Sequence, residues 1–123
     1  MSTGDDRAST AWIPGESLVK ESRANLQRGI ETVGGRLFLT TERLLFEAHK
    51  LNVQTGATAI DLRTITAVTK GWTKFLNVLP LAPNTIVVTT SDGAEYRIVC
   101  SKRADWIAAI DQQRAADGAL PAH

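Results

Sequence analysis

The side chains able to do covalent or proton-transfer chemistry in this 123-residue chain are few: one cysteine, Cys100, and two histidines, His49 and His123. A Cys-His or Ser-His-Asp site requires nucleophile and base to converge within hydrogen-bond reach. Neither histidine lies near Cys100 in sequence, and His123 is the last residue. Cys100 alternates with Tyr96 and Ile98, which predicts an inward, buried thiol, the usual state of a free cysteine. Two histidines and one cysteine fall short of a closed four-ligand zinc site. Gly34-Gly35 lacks the Gly-Lys-Ser/Thr ending with which a phosphate loop holds phosphate and metal. These residues predict no enzyme, no metal and no cofactor.

A different chemistry, that of an interface, is written between Lys70 and Pro83. Trp72, Phe75, Leu76 and Leu79 follow an i, i+3, i+4, i+7 spacing that predicts one apolar helical face ended by Pro80, with Lys70 and Lys74 flanking it. No acidic residue occurs between Asp61 and Asp92, so Arg63, Lys70 and Lys74 give this stretch a local excess of positive charge. Basic residues beside Trp, Phe and Leu suit an anchor in the membrane interface, where each lysine gains about 1 kcal/mol near anionic lipid. The bland alternative is a loop that folds its apolar face over the open end of a barrel, since large apolar groups are mostly inside. The two readings are compatible, because a partly packed loop still presents Trp72 or Phe75.

Composition bounds the rest. Lysine and arginine number 14 against 13 acidic residues, a near balance that removes the broad attraction on which sequence-independent nucleic-acid binding depends. No nucleic-acid partner is expected. The length suits one domain, and a lone cysteine excludes an internal disulfide, as fits a reducing compartment. No apolar h-region opens the chain and no run approaches the ~20 apolar residues of a bilayer span. The expected location is cytoplasmic, with peripheral placement at the inner face of a membrane. Residues 1–14 and 118–123 are expected to be flexible tails on a domain spanning 15–117.

The elements that must position these residues are mostly strands. Leu37-Phe38-Leu39 and Leu44-Leu45-Phe46 flank Thr40-Thr41-Glu42-Arg43 and predict a central β-hairpin, with Leu37, Leu39, Leu44 and Phe46 on the core face. Leu18 to Leu26 predicts a first strand with one wet face, followed by a loop over Arg28 to Val33. Ala57 to Leu62, with Ile60 and Leu62 inward, and Ile65 to Thr69 predict the fourth and fifth strands, after a polar connection from His49 to Gly56. Thr85 to Thr90 and Tyr96 to Cys100 predict the last hairpin, about an Asp92-Gly93 pair that suits a two-residue turn with positive φ at both centres. Ser101 stands where an N-cap belongs, and Trp106, Ile107, Ile110 and Arg114 recur at helical spacing to Gly118. The result is mainly β with one C-terminal α-helix over about Ser101 to Ala116, whose apolar stripe covers an open end of a bent sheet or barrel.

Seven strands and one closing helix is the order of a pleckstrin-homology (PH)-like barrel, and the residues resemble its GRAM domain branch. The resemblance rests on Gly35-Arg36-Leu37-Phe38-Leu39-Thr40, Arg43-Leu44-Leu45-Phe46-Glu47, Ile60-Asp61-Leu62 leading into Ile65, Asn84 to Val88 before Asp92 to Tyr96, and Trp106. It covers roughly Glu16 to Ile110 and implies a non-catalytic adaptor that binds membrane lipid or a protein; the expected partner is anionic membrane lipid or a protein, and the expected state a monomer or weak homo-oligomer. By the same resemblance, anions bound near the first two strands make Lys20, Arg23, Arg28 and Arg36 candidate headgroup contacts. The alternative is solvated charges offset by Glu21 and Glu31, worth little individually. Arg36-Leu37-Phe38 lacks the paired basic residues that phosphoinositide-binding relatives commonly place on the second strand, so a tight phosphoinositide pocket is not implied.

Overall fold

A computed structural model describes the backbone of residues 12–28, 31–49, 57–75 and 79–116, and the side chains of all of these but 28, 31, 72–75 and 79–83. Seven strands form one sheet: β1 (Leu18–Arg28), β2 (Glu31–Thr40), β3 (Arg43–Ala48), β4 (Ala57–Asp61), β5 (Ile65–Phe75), β6 (Leu79–Thr90) and β7 (Glu95–Cys100). Helix α1 (Arg103–Ala116) follows, and a 3-10 turn, Leu62–Thr64, joins β4 to β5. The order β4-β3-β2-β1-β7-β6-β5 leaves β4 and β5 as edges, so the antiparallel sheet is strongly bent but not closed.

The central hairpin folds as its alternation requires. Leu37 lies opposite Phe46 and Leu39 opposite Leu44, and all four join the main core with Ile60, Leu62, Ile86, Val88, Ile98 and Trp106. The opposite face is partly apolar as well. Phe38 faces Leu45 across the hairpin, both are fully buried, and Trp12 and Leu18 cover them. The Trp12 ring meets Phe38 edge-on, with centroids 6.3 Å apart at 80°, a favoured aromatic geometry.

The segment bearing Trp12 is tied down by Glu16. Its carboxylate accepts from the Ile13 N–H at 2.7 Å, the Thr40 hydroxyl at 2.6 Å and the Arg43 Nε at 2.8 Å. Thr40 Oγ1 in turn accepts from the N–H groups of Glu42 and Arg43, closing the β2-β3 turn. Burial opposes the charge on Glu16, but the bonds from Thr40, Arg43 and Ile13 and the Arg43 charge outweigh it and hold the pKa below the usual value.

Gly35 is where two strands approach too closely for a side chain. A Cβ there would lie 2.1 Å from the Glu47 carbonyl oxygen and 2.8 Å from Phe46 Cζ. Backbone cannot swing aside as a side-chain tip can, so Gly35→Ala should destabilise by about 1–3 kcal/mol, read as a lower midpoint in urea unfolding. An unchanged midpoint would mean that β2 and β3 are further apart than described.

Three local expectations are corrected. The loop placed over Arg28 to Val33 is shorter, since β1 runs through Arg28 and β2 starts at Glu31, with Gln27 opposite Thr32 and Leu26 opposite Val33. Continued pairing satisfies backbone groups that a loop would leave to water. The last hairpin turns through Ser91-Asp92-Gly93, with Thr90 N–H donating to Ala94 and Gly93 N–H donating to Thr90. Among the described residues only Gly93 of this loop has positive φ, 88°, so it is the three-residue turn ending in a left-handed glycine. At the helix start, Lys102, not Ser101, is the capping residue: its carbonyl accepts from Asp105 and Trp106, and its own φ is 55°.

Helix α1 packs on β5, β6 and the 3-10 turn, burying Trp106, Ile110 and Arg114. Arg114 fastens the last turn, donating to the Ile65 carbonyl at 3.0 Å and to Asp111 at 2.9 Å.

Candidate functional site

The stretch expected to form an amphipathic helix is instead a β-hairpin. β5 continues through Phe75 and β6 begins at Leu79, with Gly71 opposite Thr85, Thr73 opposite Ala82 and Phe75 opposite Leu79. Helical spacing in the sequence lost because the β5-β6 ladder, already formed at Val68 to Lys70, propagates through Gly71 and Thr73, both poor helix formers. Leu79 before Pro80 is likewise biased to extended backbone. Register shifts interrupt the pairing between Gly71 and Thr73 and between Thr73 and Phe75.

The hairpin extends beyond the sheet. β7 ends at Cys100, with Val99 opposite Thr85, so Leu79 to Pro83 continue past the end of β7. Arg103, at the start of α1, grips the base of this extension: one guanidinium nitrogen donates to the Gly71 carbonyl at 3.0 Å and to the Thr85 carbonyl at 3.3 Å. Lys70 is exposed at that base. The side chains of Trp72, Lys74, Phe75 and Leu79, and all of Leu76, lie outside the described residues. The local positive excess is smaller than the sequence count, because Arg63 pairs with Asp61 at 3.2 Å and Glu42 at 3.6 Å.

The second candidate group is split. Lys20 turns toward the helix, its Nζ 5.4 Å from the Trp106 ring centre, a cation–π distance; a bulge in β1 beside Leu18 and Lys20 accompanies this. Arg36 pairs with Glu21 at 2.9 Å. Arg23 is exposed and lines a cleft of about 360 Å³ with Asn25, His49, Asn84 and Ser101. The side chain of Arg28 lies outside the described residues. The cleft was not legible in the sequence, because its lining comes from β1, the end of β3, β6 and the β7-α1 junction.

A second cleft, of about 370 Å³, opens between β4 and the β6-β7 turn. Its carboxylates are engaged: Asp61 accepts from the Arg63 N–H and guanidinium. Asp92 accepts from Thr90 Oγ1 and the Ala94 N–H, bonds that hold its pKa below the usual value. Cys100 is buried, and burial pushes its thiol up to about 11, so it is neither a nucleophile nor a ready metal ligand at neutral pH. Among the described residues no three His, Cys, Asp or Glu side chains gather as a metal site, and no helix is long and apolar enough to cross a membrane.

An unclosed seven-stranded antiparallel sheet with one C-terminal helix defines a PH-like domain. The C-terminal PH domain of human pleckstrin 2 superposes with a TM-score of 0.65 at 19% identity, over 86% of this chain and 90% of that one. The C-terminal domain of an unknown protein from Leishmania infantum gives 0.64 at 21%, over 81% and 85%. The linker-DH/PH domains of p115-RhoGEF give 0.65 at 17%, over 90% of this chain, which spans 32% of that longer one. No curated protein matches in sequence. The GRAM domain family matches residues 5–115, and the chain belongs to that family. GRAM and PH-like domains are typically non-catalytic modules that bind lipids or proteins.

Proposed function

We propose that this domain docks peripherally on anionic membranes through the β5-β6 hairpin, with Trp72, Phe75, Leu76 and Leu79 entering the interface and Lys70 and Lys74 meeting headgroups. One observation carries the reading: the hairpin runs on past the end of β7, and the whole stretch from Leu62 to Ser91 holds no acid. A β-ribbon rich in Trp, Phe and Leu has little to gain from water, and nothing in it repels an anionic surface. Two aromatic groups and two lysines give a weak, salt-sensitive anchor that acts with a second signal.

The alternative is a protein-interaction or self-association module using the same hairpin, favoured by the side of β6 from Leu79 to Pro83, which pairs with no strand among the described residues, since free strand edges invite pairing. Pro80 and Pro83 lie in that stretch, and each removes a backbone donor, which blunts the edge and favours the membrane reading.

Co-sedimentation with phosphatidylcholine vesicles of graded phosphatidylserine content tests this. Binding should rise with phosphatidylserine, fall with salt, and be lost in Trp72→Ala/Phe75→Ala and in Lys70→Glu/Lys74→Glu. If all three proteins sediment alike, the hairpin is no anchor. A molecular mass that grows with concentration in light scattering would favour self-association.

A further inference from the structure

The two edges of the sheet, β4 and β5, differ in how well they are protected. An open edge is a template for another strand unless lysines, prolines or bulges blunt it. β5 is blunted: lysines stand at positions 70 and 74, and three register shifts break its ladder with β6. β4 has neither the lysines nor the breaks. Ala57-Thr58-Ala59-Ile60-Asp61 holds no lysine and no proline, and all five residues pair with β3 in unbroken register, from Ala57 opposite Glu47 to Asp61 opposite Arg43. Five residues is an ordinary strand length, long enough to carry a ladder on a second side.

Space lies along this edge. The cleft of about 370 Å³ opens beside Ala59, Ile60 and Asp61, with the β6-β7 turn as its far wall. Ala57, Ala59 and Asp61 share the outer face, where all three are exposed, and Thr58 and Ile60 alternate to the core side.

The strand is also complementary to itself. A two-fold axis normal to the sheet pairs two copies antiparallel and keeps every side chain on its own face. An axis at Ala59 is the register that uses all five residues: Ala57 meets Asp61 of the second copy, Thr58 meets Ile60, and Ala59 meets its own counterpart. No like charges face each other. The β-branched pairs fall on the core side, where such pairs stabilise a sheet, and the smallest side chain sits at the axis. The stretch that enters the cleft is Ala57 to Ala59 of the second copy, small and uncharged, so it brings no charge against Asp61 or Asp92.

We infer that β4 is a homodimer interface, at which two copies pair antiparallel about Ala59 and join their seven-stranded sheets into one. The inference is independent of docking by the β5-β6 hairpin, which stands at the other end of the strand order. One short strand pair buries little surface, so the dimer belongs with weak, transient interfaces and dissociates on dilution.

Sedimentation velocity of the full chain over a concentration series tests this. The mean mass should rise from that of the monomer toward that of the dimer. Ala59→Lys and Ala59→Glu each set like charges face to face at the axis, so each alone should stay monomeric. An equimolar mixture of the two should associate again, because opposite charges then meet. Ala59 is exposed, so both variants should melt near the wild type, and association in the mixture shows that both are folded. A wild-type chain that remains monomeric at NMR concentrations overturns the inference, as does association that persists in both single variants. A mixture that stays monomeric also overturns it and leaves the edge to a foreign strand. Association kept in Ala59→Lys but lost in Trp72→Ala/Phe75→Ala belongs to the hairpin and equally refutes β4 pairing. Association lost in Ala59→Lys with phosphatidylserine vesicle binding retained supports the β4 dimer and separates it from hairpin docking.

Discussion

Trp106→Ala is expected to lower the free energy of unfolding by about 3–5 kcal/mol, the cost of removing a large aromatic side chain from a core that cannot fully collapse. Only 1% of Trp106 is exposed, and it belongs to the main cluster with Ile86, Val88, Ile98 and Ile110. It is the largest side chain joining α1 to the sheet, so its loss removes helix docking as well as buried area. Against a typical stability of ~5–15 kcal/mol, the variant should melt far below the wild type and lose helical signal early. Lys20→Met separates packing from the cation–π contact, and should cost no more than about 1 kcal/mol. A thermal melt of Trp106→Ala that matched the wild type would show that the helix does not depend on this ring.

The second large effect belongs to the Glu16–Arg43 pair. The Glu16 side chain is wholly buried and that of Arg43 is 13% exposed, so removing one partner leaves a desolvated charge without its ion partner. Arg43→Met should cost about 3–5 kcal/mol, whereas Glu16→Leu/Arg43→Met should recover much of that loss, because a pair of apolar groups does not carry a desolvated charge. A double-mutant cycle in urea reads the difference, and strictly additive losses would mean the two residues act separately. The pH dependence has a definite sign. Glu16 has its pKa lowered from 4.5 in the folded state, so the carboxylate adds stability that is fully present above about 4.5 and is lost as pH falls through the folded value. Glu16→Gln should therefore show a shallower acid limb than the wild type. Identical acid limbs would contradict the buried-carboxylate geometry.

Glu16 also explains why the segment ahead of β1 carries structure that hydropathy alone does not suggest. Trp12-Ile13 is a lone apolar pair in a polar stretch, and its value appears only once β2 and β3 present Phe38 and Leu45 side by side. The hairpin's other face needed a cover, and Trp12 supplies part of it.

What the sequence determined by itself was everything that depends on near neighbours: Leu37, Leu39, Leu44 and Phe46 on one face of a hairpin, a turn at Asp92-Gly93, a helix through Trp106 and Ile110, and a buried Cys100. Alternation with period two and recurrence at three and four residues are local properties, and they survive folding where the core rewards them. The resemblance to a GRAM domain rested on the same strand and turn residues. Tertiary structure decided the rest. Trp72, Phe75, Leu76 and Leu79 have a helix's spacing, but the β5-β6 ladder imposed a strand on three of them, because extending an existing sheet costs less than nucleating an isolated helix. Lys20, Arg23 and Arg36 read alike as surface cations. Only the pairing of β1 with β2 and β7, and the seat of α1, put one over Trp106, one against Glu21 and one in a cleft with Asn84 and Ser101, since which side chains meet across a sheet is fixed by register and not by sequence distance.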